Sequence, residues 1–304
     1  MVKRLACTAI AFLMLFSCGI LSSCDNSAEN EVQTTQETTG KEAEEEMNSI
    51  KIMTCNIWGD YFNNSAEARV EPYRRLFTEL KPDVIGIQEY TQGWYDTDLF
   101  DSLSDIYNSI GAPGDNFIPL LYRKDKFTCV DSGWGLYEDT DDNTKGLTWA
   151  VLSDKETEKK LMVCNTHFWW VEGPEHDKIR CKNAAEMSET INVISKKYNV
   201  PAFAFGDLNT TVNTDPINLL LENGFSLMIN DAENADRVSS YHFDPERIGE
   251  DTFKGSPTED NYEHSIDHIL SYNFSGRVLQ YRIVTDQDIL DSSDHSPVYV
   301  EIEF

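Results

Sequence analysis

Residues 201–209 have the sequence Pro-Ala-Phe-Ala-Phe-Gly-Asp-Leu-Asn, in which an apolar run ends directly in a polar motif. A short, wholly apolar run is typical of a strand buried on both faces, so residues 201–205 predict a central β-strand. Asp207 and Asn209 then lie at the end of that strand, where a carboxylate and an amide lose water and need a partner. This stretch therefore indicates both a fold class and a site.

The same arrangement of an apolar run followed by a polar motif recurs along the chain. The other motifs are Cys-Asn-Ile-Trp at Asn56, Ile-Gln-Glu at Glu89, Asn-Thr-His at His167, Ser-Ile-Asp-His at Asp267, Ser-Ser-Asp-His at Asp294 and His295, and a weaker Pro-Leu-Leu-Tyr-Arg at Arg123. Carboxylates, amides and histidines placed in this way rarely serve packing, and a metal ion or a phosphate is a suitable partner for them.

Helical segments separate the predicted strands. Apolar residues at helical spacing predict helices over residues 70–80 and 184–194, and Asp215 is the predicted cap of a third helix, with Pro216 at its first position and Gly224 past its end. Strands that alternate with helices predict a layered α/β domain with its polar motifs along one edge of the sheets. Further strands are predicted at residues 50–55, 84–87, 116–123, 147–152, 161–164 and 298–304.

The net charge limits the possible partners. The chain carries a formal charge of −28, of which +2 falls on residues 1–24 and −7 on residues 25–49, which leaves −23 on residues 50–304. Such a surface repels polyanions and gains no affinity from counterion release. This disfavours a protein that stays tightly bound to DNA, but it leaves open a nuclease that binds briefly through a metal.

The N-terminus has the pattern of a targeting segment. Lys3 and Arg4 precede an apolar stretch that ends in Leu-Ser-Ser-Cys, and this sequence resembles a bacterial lipobox with Cys24 as the lipidated residue. A plain secretory signal and a membrane-spanning helix are the alternatives. We expect a signal segment over residues 1–24, a disordered acidic tether over 25–49, and one domain over 50–304, anchored by lipid on the outside of a bacterial membrane.

Four cysteines remain after the predicted signal segment. Cys55 and Cys164 lie inside apolar runs, and Cys129 and Cys181 complete the set. An extracytoplasmic location permits disulfides, but the apolar neighbours favour buried free thiols. No Cys or His spacing in the chain is typical of a zinc site.

The residue types of the motifs suit phosphate chemistry. Carboxylate and amide oxygens are the ligands that Mg²⁺ and Mn²⁺ prefer, and histidines can move protons near neutral pH. Hydrolysis of a phosphate ester needs a cation on the phosphoryl oxygens, an activated water and stabilisation of the leaving group. Each motif alone has an ordinary structural explanation, such as an Asx turn at Asp207, so it is the ordered set that carries the inference.

Taken together and in this order, the motifs resemble the endonuclease/exonuclease/phosphatase superfamily. The resemblance covers residues 50–304. It implies an α/β four-layer sandwich, in which two mixed β-sheets pack face to face with helices on the outside. It also implies a divalent cation, Mg²⁺ or Mn²⁺, held by Glu89 with Asn56 beside it and Asp294 nearby.

The resemblance also implies roles for the other motif residues. Asp207 and Asn209 match the pair that positions the attacking water or the phosphate. His295 resembles the catalytic histidine of the family, and Asp267 matches the carboxylate that orients it. His167 matches a histidine that contacts phosphate or assists the leaving group in the deoxyribonuclease and sphingomyelinase branches, and it counts against the abasic-site endonucleases.

Several neighbouring residues keep two explanations. Arg180 is either a structural ion pair or a phosphate contact, and Lys254 stands where the family motif has a histidine. Trp169 and Trp170 form either part of the core or an aromatic rim next to the phosphate. Three further histidines are expected at the surface or in packing, namely His242, His264 and His268.

The expected function is therefore a metal-dependent hydrolase that cleaves a phosphodiester or phosphomonoester by in-line attack of water. A secreted nuclease and a sphingomyelinase-like lipid phosphodiesterase are alternatives within that class. A non-catalytic binding lipoprotein is the alternative outside it. The expected substrate is nucleic acid, a phospholipid head group or a small phosphorylated molecule. The sequence implies no protein partner, so a monomer is expected.

Overall fold

A computed structural model of the chain describes residues 49–61, 65–111, 116–140, 142–242 and 261–303. The predicted signal segment, residues 25–48 of the predicted tether, and Lys254 lie outside these ranges. The first strand begins at Ser49, one residue before the predicted start of the domain. No described helix has the length and apolar composition needed to cross a membrane.

Two mixed β-sheets form the centre of the domain. The seven-stranded sheet has the order β10 (Ala232–Ala235), β12 (Arg277–Ile283), β13 (Val298–Glu303), β1 (Ser49–Asn56), β2 (Val84–Gln88), β4 (Leu120–Arg123) and β3 (Tyr107–Ile110). The six-stranded sheet has the order β5 (Phe127–Leu136), β6 (Gly146–Asp154), β7 (Lys160–His167), β8 (Ala202–Asp207), β11 (Asp267–Tyr272) and β9 (Phe225–Leu227). The pairs β1–β2, β7–β8 and β10–β12 are parallel and the others are antiparallel.

Helices cover the outer faces of both sheets. The seven-stranded sheet packs against α1 (Val70–Glu79), α2 (Gln92–Tyr95), α3 (Leu99–Leu103) and α7 (Gln287–Leu290). The six-stranded sheet carries α4 (Pro174–Tyr198), α5 (Asp215–Glu222) and α6 (Met228–Asp231). Short 3₁₀ helices lie at Glu67–Arg69 and Tyr262–His264. The result is the predicted α/β sandwich of two mixed sheets with helices outside.

The two sheets meet through a buried amide on the inner face of β7. The Nδ2 atom of Asn165 lies 2.8 Å from the carbonyl oxygens of Ile87 and Pro119, and its Oδ1 atom accepts from Gln88 Nε2 at 2.6 Å. Gly86 lies opposite, and a Cβ there would come within 2.6 Å of the Asn165 side chain. The polar link therefore fixes the register of the sheets at the end where the motifs lie.

Two predicted boundaries are wrong, and one predicted helix is longer than its apolar positions indicate. Asp215 is the first residue of α5 rather than its cap, because Thr214 has the extended backbone conformation of the cap position. The predicted strand over 116–123 is regular only from Leu120, since Asn116 turns its side chain to accept the Ile118 N–H at 2.7 Å. Helix α4 begins at Pro174, well before the apolar spacing that indicates it.

His268 is a buried packing residue, which agrees with its prediction. It is 0 % exposed, its Nε2–H donates to the Thr210 carbonyl at 2.9 Å, and its Nδ1 accepts from the Tyr262 hydroxyl at 2.9 Å. Burial lowers the pKa of His268 to about 4, although the Thr210 carbonyl and the charge of Asp207 oppose that shift. The imidazole is therefore neutral in the folded protein at neutral pH.

This histidine is expected to weaken the fold in acid. The unfolded chain binds a proton at His268 below about pH 6.5, while the folded chain resists it until about pH 4. The stability that neutral His268 contributes is complete above pH 6.5 and is lost as the pH falls towards 4. Wild type should lose about 3 kcal/mol more unfolding free energy than His268→Tyr between pH 7 and pH 4.

Urea unfolding at the two pH values measures this difference. His264→Tyr is the matched control, because His264 is exposed on the same segment and its replacement leaves the hydrogen bonds of His268 in place. Equal losses in wild type and His268→Tyr would show that His268 does not control this part of the acid profile.

Candidate active site

Strand pairing brings most of the motifs to one edge of the two sheets. In the parallel pair β1–β2, Asn56 lies opposite the residue before Glu89. In the parallel pair β7–β8, His167 lies opposite Asp207, and the antiparallel strand β11 begins with Asp267 opposite Asp207. The ends of strands from both sheets therefore gather these side chains, as the sequence predicted from the strand ends.

Arg123 is the exception. Strand β4 runs antiparallel to β2, so its last residue lies near the beginning of β2 rather than near Glu89. Its guanidinium pairs with Asp83 at 3.0 Å and with Asp125 at 2.5 Å. The Pro-Leu-Leu-Tyr-Arg motif is thus structural and does not belong to the site.

Asn56 connects the two sheets within the site. Its Nδ2 atom donates to Glu89 Oε1 at 3.2 Å and to Asp207 Oδ2 at 3.0 Å, and its Oδ1 accepts from the Trp58 N–H at 3.0 Å. The other oxygen of Glu89 accepts from the Gly59 N–H at 2.9 Å. Glu89 itself has a φ of 60°, a left-handed conformation that turns the chain immediately after β2. The two carboxylates are thereby held on either side of one amide.

Asn209 shapes the loop after β8. Its N–H donates to Asp207 Oδ1 at 2.8 Å, which closes an Asx turn, and its φ is 48°. Its Nδ2 atom donates to the Phe168 carbonyl at 3.0 Å. Asn209 therefore ties the loop that follows Asp207 to the segment that follows His167.

His295 and Asp267 form a buried pair. The Nδ1 atom of His295 lies 2.8 Å from Asp267 Oδ2, and that same oxygen accepts from the Ser240 hydroxyl at 2.7 Å. The Nε2 atom of His295 faces Asp207, with Oδ2 at 3.8 Å. Burial lowers the pKa of His295, but Asp267, Asp207 and Asp294 outweigh it and hold that pKa well above its ordinary value.

The carboxylates of the site influence each other's protonation. Burial raises the pKa of Asp294 to about 7, with His295 opposing the shift and the charges of Glu89 and Asp207 adding to it. Burial would also raise the pKa of Asp207, but the charge of His295 and the hydrogen bond from His167 hold it below its usual range. Asp207 is therefore ionised, whereas a bound cation would stabilise the ionised form of Asp294.

These residues fit a hard divalent cation. Within the described ranges, two groups have ligand atoms within 4.8 Å of one another, namely Glu89 with His167 and Asp207, and Asp207 with Asp267 and His295. Oxygen ligands of this kind suit Mg²⁺ or Mn²⁺. The carboxylate of Asp294 falls outside both groups, so its predicted place at the metal rests on its charge coupling to Glu89.

Lys145 is a site residue that the sequence analysis missed. It is 3 % exposed, and its Nζ atom lies 2.8 Å from Nε2 and 3.2 Å from Nδ1 of His167. His167 Nε2 in turn lies 3.3 Å from Asp207 Oδ2. A lysine directly before the buried strand β6 was the available signal, since buried lysines are rare without a partner.

Arg69 is the second such residue. Its guanidinium donates to the carbonyls of Ile57 and Trp58, each at 2.7 Å, and to the carbonyl of Ser292 at 3.0 Å. Burial lowers the pKa of Arg69 to about 10, which still leaves it charged at neutral pH. It joins the loop after Asn56 to the loop before Asp294, and helical periodicity gave no indication of this role.

The arginine and the aromatic residues near the site differ in their contacts and exposure. Arg180 pairs with Asp177 at 2.5 Å and donates to two backbone carbonyls, which supports the structural explanation. Trp169 is half-buried and donates to His176 at 3.0 Å, whereas Trp170 is 59 % exposed. The Tyr241 ring, 36 % exposed, lies 5.0 Å from the ring of His295.

The described cysteines agree with the free-thiol prediction. Cys55 and Cys164 are buried, and Cys129 and Cys181 are half-buried. Burial raises the pKa of the Cys164 thiol to about 12, so this sulfur is an inert packing group.

Comparison with known proteins identifies relatives of this architecture. A sequence model described as the Endonuclease/Exonuclease/phosphatase family matches residues 53–295. An endonuclease/exonuclease/phosphatase structure from Bacteroides vulgatus is 26% identical over 84% of this chain and 99% of its own, with a TM-score of 0.69. No curated protein sequence matches this chain.

Two more distant structures share the fold. A mannosyl-6-phosphatase from Bacteroides thetaiotaomicron is 20% identical over 84% of this chain and 100% of its own, with a TM-score of 0.67. The catalytic domain of human Nocturnin is 14% identical over 84% of this chain and 94% of that one, with a TM-score of 0.61.

Proposed function

Because this chain belongs to the endonuclease/exonuclease/phosphatase family, we propose that it hydrolyses phosphate esters with the help of Mg²⁺ or Mn²⁺. The observation that carries the proposal is the gathering of Glu89, Asp207 and Asp294 beside the His295–Asp267 pair at one sheet edge. Phosphoryl transfer needs this combination of anionic cation ligands and proton-handling groups.

Asn56, Glu89 and Asp294 are the residues proposed to hold the cation. When bound, a divalent cation neutralises charge on the phosphoryl oxygens. Asn56 does not need to be ionised, and its hydrogen bonds to Glu89 and Asp207 keep both carboxylates facing the same space. Arg69 joins the loop after Asn56 to the loop before Asp294 through hydrogen bonds to the carbonyls of Ile57 and Ser292.

Asp207 and His295 are proposed to handle the attacking water. Asp207 stays ionised because of its lowered pKa, so it can accept a hydrogen bond from water. Its Oδ2 atom and His295 Nε2 are 3.8 Å apart, a separation that one water can bridge with hydrogen bonds to both. The Asp267 carboxylate fixes which ring nitrogen of His295 faces the site.

The proposed substrate is a small phosphorylated molecule. The charge of −23 on residues 50–304 opposes the approach of long nucleic acids. Trp170, exposed three residues after His167, and Tyr241, whose ring lies next to that of His295, offer surfaces on which a ring of the substrate can stack. A nuclease and a sphingomyelinase-like phosphodiesterase stay as the alternatives.

A panel of phosphate esters tests this proposal. The full chain is incubated in Mg²⁺ with sugar phosphates, nucleoside monophosphates, inositol phosphates, sphingomyelin, DNA and RNA, and the released phosphate or head group is quantified. We expect the highest kcat/KM for a small phosphomonoester. Faster cleavage of DNA, RNA or sphingomyelin would overturn the proposed substrate, and no cleavage of any ester would overturn the hydrolase proposal.

We also propose an extracytoplasmic, lipid-anchored location. The support is the sequence Lys3-Arg4, the apolar stretch after it, and Leu-Ser-Ser-Cys ending at Cys24. In such a protein the acidic segment over 25–49 would space the domain from the lipid surface.

A further inference from the structure

The Lys145 ammonium is buried in the site, yet none of the roles proposed above uses it. It is 3 % exposed and lies 2.8 and 3.2 Å from the two ring nitrogens of His167. Burial lowers the pKa of Lys145, whereas the nearby charges of Glu89, Asp142 and Asp207 raise it and favour the charged form. A buried cation among carboxylates usually has an anionic partner or a ligand to bind.

The lysine competes with a metal for His167. A neutral imidazole has one nitrogen lone pair, and its other nitrogen carries a proton. If Nε2 carries that proton it can donate to Asp207, and Lys145 then donates to Nδ1; if Nδ1 carries it, Lys145 donates to Nε2. In either tautomer the ammonium occupies the space beside the ring nitrogens, where a metal bound to His167 would bring a second positive charge.

Lys145 lies next to one of the two groups of possible metal ligands in the site. Glu89, His167 and Asp207 have ligand atoms within 4.8 Å of one another, a spacing that suits a cation. The positive charge of Lys145 is already there, supplied by the chain itself. Among the described residues, the charges that act on Asp294 come from His295, Glu89 and Asp207, and no lysine is among them.

We propose that Lys145 acts as a built-in cation in place of a metal at the Glu89–His167–Asp207 position, and that its ammonium binds a phosphoryl oxygen of the substrate. This inference rests on the proposed phosphoesterase function. It follows that the protein binds a single divalent cation, and that Lys145 and that cation hold the phosphate from two sides. A charge-assisted hydrogen bond from an ammonium to a phosphate oxygen supplies the affinity.

Metal stoichiometry tests whether Lys145 takes the place of a metal. Calorimetric titration of Mn²⁺ into the full chain should show one bound ion per chain, and two ions would overturn the inference. Lys145→Met removes the ammonium beside His167 and should bind a second Mn²⁺, whereas Lys145→Arg, which keeps a cation, should bind one. A single Mn²⁺ in Lys145→Met would show that Lys145 does not exclude a metal.

Inhibition by inorganic phosphate tests whether Lys145 binds a phosphoryl oxygen. Losing one charge-assisted hydrogen bond should weaken phosphate binding by about tenfold to a hundredfold in Lys145→Met. Lys197→Met is the matched control, because Lys197 is exposed and pairs with Asp131 on the surface. Unchanged phosphate inhibition in Lys145→Met would overturn the inference.

The proposed hydrolase function and the proposed role of Lys145 can each fail separately. If wild type binds Mn²⁺ and hydrolyses esters, but phosphate inhibits Lys145→Met as strongly as wild type, the proposed function stands and the proposed role of Lys145 is wrong. If wild type binds no Mn²⁺ and hydrolyses no ester, the proposed function itself falls. Circular dichroism of each variant confirms that the comparison is made on folded protein.

Discussion

Replacement of His295 by Asn is expected to lower kcat by about a thousandfold while the protein stays folded. The Asn amide can still donate to Asp267 from near the place of Nδ1, but nothing takes the place of Nε2, which faces Asp207 at 3.8 Å. The variant therefore removes the group that handles protons and keeps the buried hydrogen bond. Steady-state kinetics on the best substrate of the ester panel measures the effect.

His264→Asn is the control for this variant, because His264 is exposed and makes none of the hydrogen bonds that hold His295 and Asp267. It should retain the kcat of wild type. If His295→Asn loses less than about threefold while His264→Asn behaves like wild type, His295 is not a catalytic residue, and Asp207 is left as the proton acceptor.

Replacement of Gly206 by Ala is expected to destabilise the protein by more than about 4 kcal/mol, or to prevent folding. A Cβ at this position would lie 1.9 Å from the Thr166 carbonyl oxygen on the paired strand β7, and the residue has a φ of +155°. The contact is with backbone, so no side chain can move aside to relieve it. Chemical denaturation or the yield of soluble protein measures the loss.

Gly206 also determines where Asp207 lies relative to His167. The close approach of β8 to β7 at Gly206 brings Asp207 into register with His167. Gly135→Ala is the control, since a Cβ there meets nothing within 4 Å and alanine is favoured over glycine in a strand. Similar stabilities of the two variants would show that β8 can shift away from β7, and the register would then not define the site.

The strand ends could be predicted because buried strands have a strong sequence signal. Strands such as β8 are apolar on both faces, so the polar residues that follow them are easy to recognise in the sequence. Parallel pairing of neighbouring strands then places Glu89 beside Asn56, and Asp207 beside His167, without further information. The proposed roles of these residues stay predictions that the variants above address.

The sequence could not reveal features that depend on strand direction or on long-range contact. Arg123 lies at the end of a strand, and Glu89 directly follows one, so the two look alike in the sequence. Because β4 is antiparallel to β2, Arg123 lies near Asp83 at the beginning of β2, away from Glu89. Lys145 becomes a site residue only because β6 pairs with β7 at His167. Arg69 binds the carbonyl of Ser292, which is 223 positions away, and no local sequence pattern predicts that contact.

Strand β5 illustrates a second limit. Its burial alternates along Phe127–Leu136, and it carries Gly133 and Gly135, so it lacks the continuous apolar run of the central strands. It lies at the edge of the six-stranded sheet, where one face is open and exposed residues such as Trp134 are tolerated. Edge strands of this kind are defined by their neighbour rather than by their own composition.

The most direct test of a metal-dependent phosphoesterase is ester hydrolysis by the full chain with its metals removed and then restored. Treatment with EDTA should abolish phosphate release, addition of Mg²⁺ or Mn²⁺ should restore it, and Glu89→Gln should fail to recover with either metal. Hydrolysis that persists in EDTA, or full recovery of Glu89→Gln, would contradict the assignment of this site.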